Sequence, residues 1–377
     1  MGDTITAVSI RPLPPTPTQA PDCQVLPDWA CPAQRPPAGR VWPESAVRFA
    51  VEVVDSTGVA GTFGPVSASV AAVVRDQVAP VVVGCDVDAW RVLASPALAG
   101  RHVHGAHVRL AVSAVELAAW DLRSLHHGAA VGALVGGQRR TQVPVYASAL
   151  GIDIDHPLAA DIAAWLTDTG FWASKWALPG ADRGEPPSRD AQRLRRLRDA
   201  VGDAARLCVD VGGRWPLDYA RQMLPALAEV GVSWIEEPGA VPASDLLAYG
   251  LARAEGEHDY DPADQLRALS GDVQIWQPDP SWCGGLAHTL AMVELAGLRG
   301  IRTIPHGGGL AAALALAEAA PAHLVPAIEY HLTLEPLRQA AQLHPLIPVH
   351  GTLTPRTAPG LTSGYRLATT EVTGANA

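Results

Sequence analysis

What this 377-residue sequence lacks narrows its class first. No apolar h-region precedes the prolines of MGDTITAVSIRPLPPTP, so no secretory signal is read and the cytoplasm is the expected compartment. No apolar run long enough to span a bilayer is present. The most apolar segment, LAAALALAEAAPAHLVPAI at 310–328, is broken by Glu318, Pro321, His323 and Pro326. Positive charge is in deficit. The 38 Asp and Glu outnumber the 28 Lys and Arg, giving a net charge of −10, which argues against nucleic acid as a partner. Cysteine is scarce as well. Five residues, at 23, 31, 85, 208 and 283, are odd in number and scattered; Cys23 and Cys31 alone are near enough in sequence to consider a bridge.

What is present supports a large core. Apolar residues make up 48% and charged residues 18%, enough for two domains or for one barrel with a decorating domain, and inconsistent with global disorder. Residues 4–10 and 46–54 alternate like strands, and DSTG (55–58) turns the second into VAGTFGPV, a hairpin. Between those strands lies a proline-rich stretch, 11–44, carrying Trp29 and Trp42, whose length marks either a functional loop or a disordered segment. Helical periods follow at 66–79 and 107–126. Near 141 the texture changes. Apolar β-branched runs now alternate with amphipathic stretches such as RDAQRLRRLRDAVG (189–202), the signature of a parallel sheet.

Beyond residue 200 a pattern recurs. LCVDV ends in Asp210, WIEEP carries Glu236 26 positions on, and EGEHD carries Glu257 21 further. VQIWQPD brings Asp279 after 22, RTIPHGGG brings His306 after 27, and PAIEYH brings Glu329 after 23. A single acid at a strand end is ordinarily a cap or a solvated loop residue. Six titratable residues in phase call for another explanation, and the strand ends of a (β/α)8 barrel, which all open on one mouth, supply it. Acids gathered at one mouth repel, so a cation is the natural remedy. Carboxylates without cysteine suit a hard ion such as Mg2+.

The motifs AVELAAWDLRS (114–124), GFWASKW (170–176), VDVGGRW (209–215), WIEEP, GEHDY, QPDPSWCGG and PHGGG together resemble the enolase superfamily. The likeness is to its mandelate racemase and muconate lactonizing enzyme group, and QPDPSWCGG followed by PHG is similar to rhamnonate dehydratase-like acid-sugar dehydratases. The resemblance implies a modified (β/α)8 barrel over 141–345, closed by an α+β capping domain from 1–140 and a tail, 346–377, that returns to it. It implies Asp210, Glu236 and Glu257 as Mg2+ ligands and His306, partnered by Asp279, as the base. Lys175 stands where the family carries a Lys-x-Lys pair, and the second position of that pair is Ala177. The Asp-x-Asn expected at the third strand reads Asp210, Val211, Gly212.

The activity so implied is α-proton abstraction from an acid sugar, then loss of the β-hydroxyl through an enediolate to a 2-keto-3-deoxy acid. A modest rise in the His306 pKa from Asp279 would tune the base. Lys175 would orient or neutralise the substrate carboxylate, and Glu329, if protonated, would hydrogen-bond an enediolate oxygen. Trp29, Trp215, Trp282 and Glu237 are expected on the substrate side, and the segment 181–190 as a lid or a surface loop. The partner is a small-molecule acid sugar, with no nucleic acid and no membrane, and a homo-oligomer is expected. Two alternatives stand beside this: racemisation, epimerisation or cycloisomerisation on the same scaffold, disfavoured by Ala177, and a barrel that binds a sugar acid without turnover.

Overall fold

The computed structural model describes residues 3–16, 25–34, 48–88, 105–137 and 140–368; Cys23 and Trp42 lie outside them. The N-terminal alternation becomes a three-stranded antiparallel meander, β1 (Ile5–Pro12), β2 (Phe49–Asp55) and β3 (Ala60–Val66). Asp55 closes the β2–β3 turn, accepting from the backbone of Thr57 at 2.8 Å and of Val59 at 3.0 Å. Ser67 caps helix α1 (Ala68–Val73), which runs through a π turn at Val74–Val78 into α2 (Ala79–Val82). The long helix α3 (Ala106–His127) lies on this sheet so closely that a Cβ on Gly61 would come within 2.1 Å of the Leu122 nitrogen. The short α4 (Val131–Val135) follows.

The parallel units then begin. Strands β4 (Val143–Ser148), β5 (Ser174–Ala177), β6 (Leu207–Asp210), β7 (Ile235–Glu236) and β8 (Arg253–Glu255) pair in sequence order. β9 (Ile275–Trp276) and β10 (Arg302–Thr303) extend the sheet, and β11 (Ile328–His331) pairs with β4 on its other edge. Hydrogen bonds from Glu329 N–H to the Pro305 carbonyl and from Thr303 N–H to the Leu324 carbonyl cross the remaining seam, so the sheet curls into a barrel. Helices α5 (Ala159–Asp168), α6 (Pro187–Val201), α7 (Leu217–Val230), α8 (Ala243–Ala248), α9 (Pro262–Ser270), α10 (Leu286–Leu298) and α11 (Leu310–Ala319) connect the strands. The unit between Glu236 and Glu257 keeps only the six-residue α8, as its short spacing predicts. After β11 comes α12 (Glu335–Gln339).

A plug of Tyr146, Ala173, Cys208, Trp234, Ala254, Ile275 and Ile304 fills the barrel interior, while a larger core lies between strands and helices. Because strand side chains alternate, the residues two positions beyond several plug members form the next inward layer. Ala173 leads to Lys175, Cys208 to Asp210, Trp234 to Glu236, Ile275 to Gln277 and Ile304 to His306. The polar mouth is therefore built directly on an apolar floor.

Several contacts among the described residues join the N-terminal region to the barrel. Glu116 of α3 is buried and accepts from the first two N–H groups of α10, Leu286 at 2.9 Å and Ala287 at 3.1 Å, and from Trp120 Nε1 at 2.8 Å. Arg48 donates to the Leu337 carbonyl at 2.7 Å. The chain's last described stretch pairs β12 (Thr352–Leu353) with β4, then bonds Leu361 N–H to Asp121 and the Tyr365 hydroxyl to the Gly64 carbonyl. Among the described residues no helix is long and apolar enough to cross a membrane.

Burial raises the Glu116 carboxyl to about 7, with the three donors opposing that rise. Glu116→Ala strands two buried N–H groups at the helix terminus and should lower stability by about 2–4 kcal/mol in urea unfolding. A change below about 0.5 kcal/mol would show that the contact does not hold the capping region to the barrel.

Candidate active site

His306 and Asp279 sit three residues beyond the ends of adjacent strands β10 and β9, and their side chains meet. His306 Nδ1 lies 2.8 Å from Asp279 Oδ2. The other Asp279 oxygen is taken by Ser281, whose backbone N–H donates at 2.8 Å and whose hydroxyl donates at 2.6 Å. Asp279 is wholly buried and fully engaged, so it orients the imidazole and leaves Nε2 as the outward atom. Trp282 lies against the ring, with centroids 4.7 Å apart. Gly308 makes this packing possible, since a Cβ there would come within 1.9 Å of Asp279 Oδ2.

His306 Nε2 faces Glu257 Oε2 at 3.2 Å. Burial by itself would lower the imidazole pKa, but Glu257, Asp279 and Glu329 outweigh burial and push it up to about 10. That rise is far larger than the modest one expected from Asp279 alone. In this arrangement His306 is an imidazolium held between two carboxylates.

Lys175 is the only lysine of the chain; every other Lys/Arg position is arginine. It is fully buried, and its ammonium is enclosed by Glu236, by Glu329 at 3.0 Å and by Asp210 at 3.6 Å. Burial disfavours the charged lysine, but Glu236 and Glu329 prevail and hold its pKa well above the ordinary range. Glu236 is raised by burial and by its acidic neighbours, against the pull of Lys175. Glu329, despite burial, is held well below the usual range by Lys175 and His306. In this arrangement Glu329 is paired with Lys175, and the Lys175 ammonium faces the chain's own acids.

Other expected residues fall elsewhere. Glu237, at a left-handed φ of 47°, turns away to accept from Gly256 N–H at 3.3 Å and to pair with His258, so it braces the loop carrying Glu257 instead of facing substrate. Trp29 is 44% exposed in a 3-10 helix (Asp28–Ala33), anchored to the loop after β4 by Asp153 N–H on the Ala33 carbonyl. Trp215 packs on Tyr219, a core contact. The segment 181–190 is tied down: buried Arg193 contacts Asp155, Glu185 and Asp190. Its first part, 181–186, is a surface loop leading into α6.

The structure also adds residues that sequence reasoning passed over. Gln277 donates to Glu236 Oε2 at 2.7 Å, a role available from its place in QPD, two residues before Asp279. His331, two residues past Glu329 and so on the same strand face, accepts from the backbone of Leu334 at 3.2 Å through Nδ1. Burial lowers its pKa to about 3, keeping it neutral. Nothing in its local sequence marks it.

Asp210, Glu236, Glu257, Asp279 and Glu329 gather around Lys175 and His306, with His258 3.5 Å from Glu257, so carboxylates outnumber cations at the mouth, and their oxygens are hard donors. That composition fits a divalent cation such as Mg2+. Among the described residues no three His, Cys, Asp or Glu side chains already close on a common point. Glu257 is turned to His306, Glu236 to Lys175 and Gln277, and Asp210 accepts from Gly212 N–H at 2.9 Å.

An oriented imidazole beside a buried acid cluster has little use in a protein that only binds; it is the equipment of a proton-transfer enzyme. Comparison with known proteins gives the class. Residues 157–366 match the Enolase C-terminal domain-like family, and residues 45–136 match the Mandelate racemase / muconate lactonizing enzyme, N-terminal domain. The chain is 32% identical over 273 residues to D-galactarolactone cycloisomerase of Agrobacterium fabrum, covering 67% of this chain and 70% of that protein. It is 30% identical over 212 residues to L-rhamnonate dehydratase of Saccharopolyspora erythraea, about half of each. A racemase from Streptomyces coelicolor A3(2), solved with bound magnesium, shares the fold with a TM-score of 0.75 at 24% identity over 96% of this chain and 97% of that one. The chain belongs to the enolase superfamily, as an enzyme built on the fold of its mandelate racemase and muconate lactonizing group.

Two expectations follow. Lys175→Met leaves Glu236 and Glu329 buried without their cation and should cost about 3–5 kcal/mol at neutral pH. The raised lysine pKa means its contribution persists throughout the range below the ordinary lysine pKa. Burial already raises Glu236 and loss of the lysine raises Glu329, so the deficit of the variant should shrink as pH falls below neutrality and these acids take up protons. Equal deficits by urea unfolding at pH 4.5 and 7.5 would contradict the charge-balance account. Gly308→Ala pushes Asp279 off His306 and should lower kcat about 100-fold with the fold kept; unchanged kcat would show that this close packing is dispensable.

Proposed function

We propose that the enzyme is a Mg2+-dependent hydro-lyase acting on an acid sugar, aldonate or aldarate. The observation that carries this reading is the single oriented base. Asp279 fixes Nδ1 of His306 at 2.8 Å and leaves Nε2 for proton transfer, while Ala177, at the second position of the Lys-x-Lys pattern, has no titratable group. One base on one face favours elimination over two-sided racemisation. The acid-sugar enzymes among its relatives, including the L-rhamnonate dehydratase, support the substrate class.

Asp210, Glu236 and Glu257 would hold the metal, whose chemistry is Lewis-acid stabilisation of charge developing on the substrate carboxylate. The remaining steps belong to the chain. Glu257 is the carboxylate on His306 Nε2, so its engagement elsewhere both uncovers that atom and lowers the imidazole pKa. Neutral His306 then takes the α-proton, and the electron pair delocalises into the carboxylate as an enediolate. The enediolate collapses to expel the β-hydroxyl, which takes the proton back from His306 and departs as water. The enol tautomerises to the 2-keto-3-deoxy acid. Lys175 acts from below, balancing Glu236 and Glu329. Cycloisomerisation is the second reading, favoured by the 32% identity to D-galactarolactone cycloisomerase.

Screening aldonic and aldaric acids with Mg2+ for 2-keto acid should yield a product one water lighter than its substrate. A product isomeric with the substrate would establish the second reading, and turnover unaffected by chelator would remove the metal from the account. His306→Asn should abolish turnover. Asp279→Asn removes a charge that raises the His306 pKa, so the acidic limb of kcat/KM should move to lower pH. Its maximum should fall about 100-fold or more. An acidic limb that stays in place would exclude His306 as the base.

A further inference from the structure

A cavity of about 220 Å3 lies where the capping region meets the barrel. Arg48, Phe63 and Pro65 wall one side, and Trp282, Gly308 and Arg338 wall the other. Its barrel side adjoins the reacting groups, because the Trp282 ring lies 4.7 Å from the His306 ring and Gly308 touches Asp279. A substrate whose α-carbon lies at His306 therefore extends its far end into this space.

Arg48 is the anomaly in that wall. It is only 6% exposed, and its guanidinium meets only backbone carbonyls, Leu337 at 2.7 Å, Pro14 at 3.0 Å and Pro15 at 3.3 Å. Its Nε has no hydrogen-bond partner, and no carboxylate pairs with it among the described residues. The carbonyls fix the plane of the group without neutralising it. Arg338 across the cavity is already paired with Glu335 at 3.1 Å, so the uncompensated charge belongs to Arg48. A guanidinium stays charged when buried, and burying one without an anion is unfavourable. A planar donor of this kind matches a carboxylate.

We propose that Arg48 binds a second, terminal carboxylate of the substrate in this cavity, so that the enzyme acts on a diacid of the aldarate type. This rests on the acid-sugar reading above. The test compares purified enzyme on hexarates, the matching aldonates, which end in a hydroxymethyl group, and 6-phosphoaldonates. The diacid should lead by about tenfold or more in kcat/KM. Arg48→Gln should erase that lead by raising KM about tenfold more for the diacid than for the aldonate; a merely structural role would depress both substrates alike. Leu110→Glu places a negative charge on the cavity wall, and serves if the arginine variant does not fold. It should penalise the diacid more than the aldonate. Equal use of diacid and aldonate, or a preference for the phosphate, overturns the assignment and leaves the acid-sugar reading standing. No turnover of any acid sugar overturns that reading instead. Calorimetric titration with galactarate then decides the pocket: binding lost in Arg48→Gln supports it, and absent binding overturns it.

Discussion

One buried ammonium organises this mouth. Lys175 carries the only lysine charge of the chain into a space surrounded by Glu236, Glu329 and Asp210. Without it the acids would have to hold protons or spread apart, and either change alters the strand ends that carry them. A single positive charge cannot balance them all. The remainder sets Glu236 high, draws Glu257 onto His306, and makes a divalent cation compatible with the site.

The base depends on a second, more local constraint. Asp279 has its two oxygens divided, one to Ser281 and one to His306, and Gly308 leaves room for that division. The histidine is thereby held by geometry on one nitrogen and by charge on the other. The geometric hold is permanent, since the Asp279 side chain is closed in. The electrostatic hold is conditional on where Glu257 points. Orientation and protonation are thus governed by different carboxylates, which lets one imidazole serve first as base and then as acid.

The N-terminal region contributes more than cover. Glu116 locks α3 to the start of α10, in the unit that follows Asp279, and the C-terminal stretch bonds back to Asp121 and Gly64. These contacts fix the distance between the barrel mouth and the wall that bears Arg48, so the shape of the cavity is set by the same interactions that join cap to barrel.

The strand ends were legible from the sequence because alternation and spacing are local properties. Each unit places an apolar residue inward, then a polar one two positions later, and this repeats at roughly constant intervals through Asp210, Glu236 and His306. Even the trimmed α8 was readable from the short interval before Glu257. Side-chain direction was not readable where the period breaks. The left-handed turn at Glu237 sends that side chain outward, and Glu257 comes from a loop, so neither follows the strand rule. Nor was protonation readable. Glu329 on β11 is ionised because Lys175 on β5 reaches it; the two are far apart in the chain, yet only β4 separates their strands in the sheet. The roles of Gln277, Ser281, His331 and Arg48 likewise exist only after folding, since each is defined by a partner rather than by its neighbours. By itself the sequence determined which residues stand at the mouth; the tertiary structure decided which of them are charged, paired or free, because burial and through-space Coulomb interaction have no counterpart along the chain.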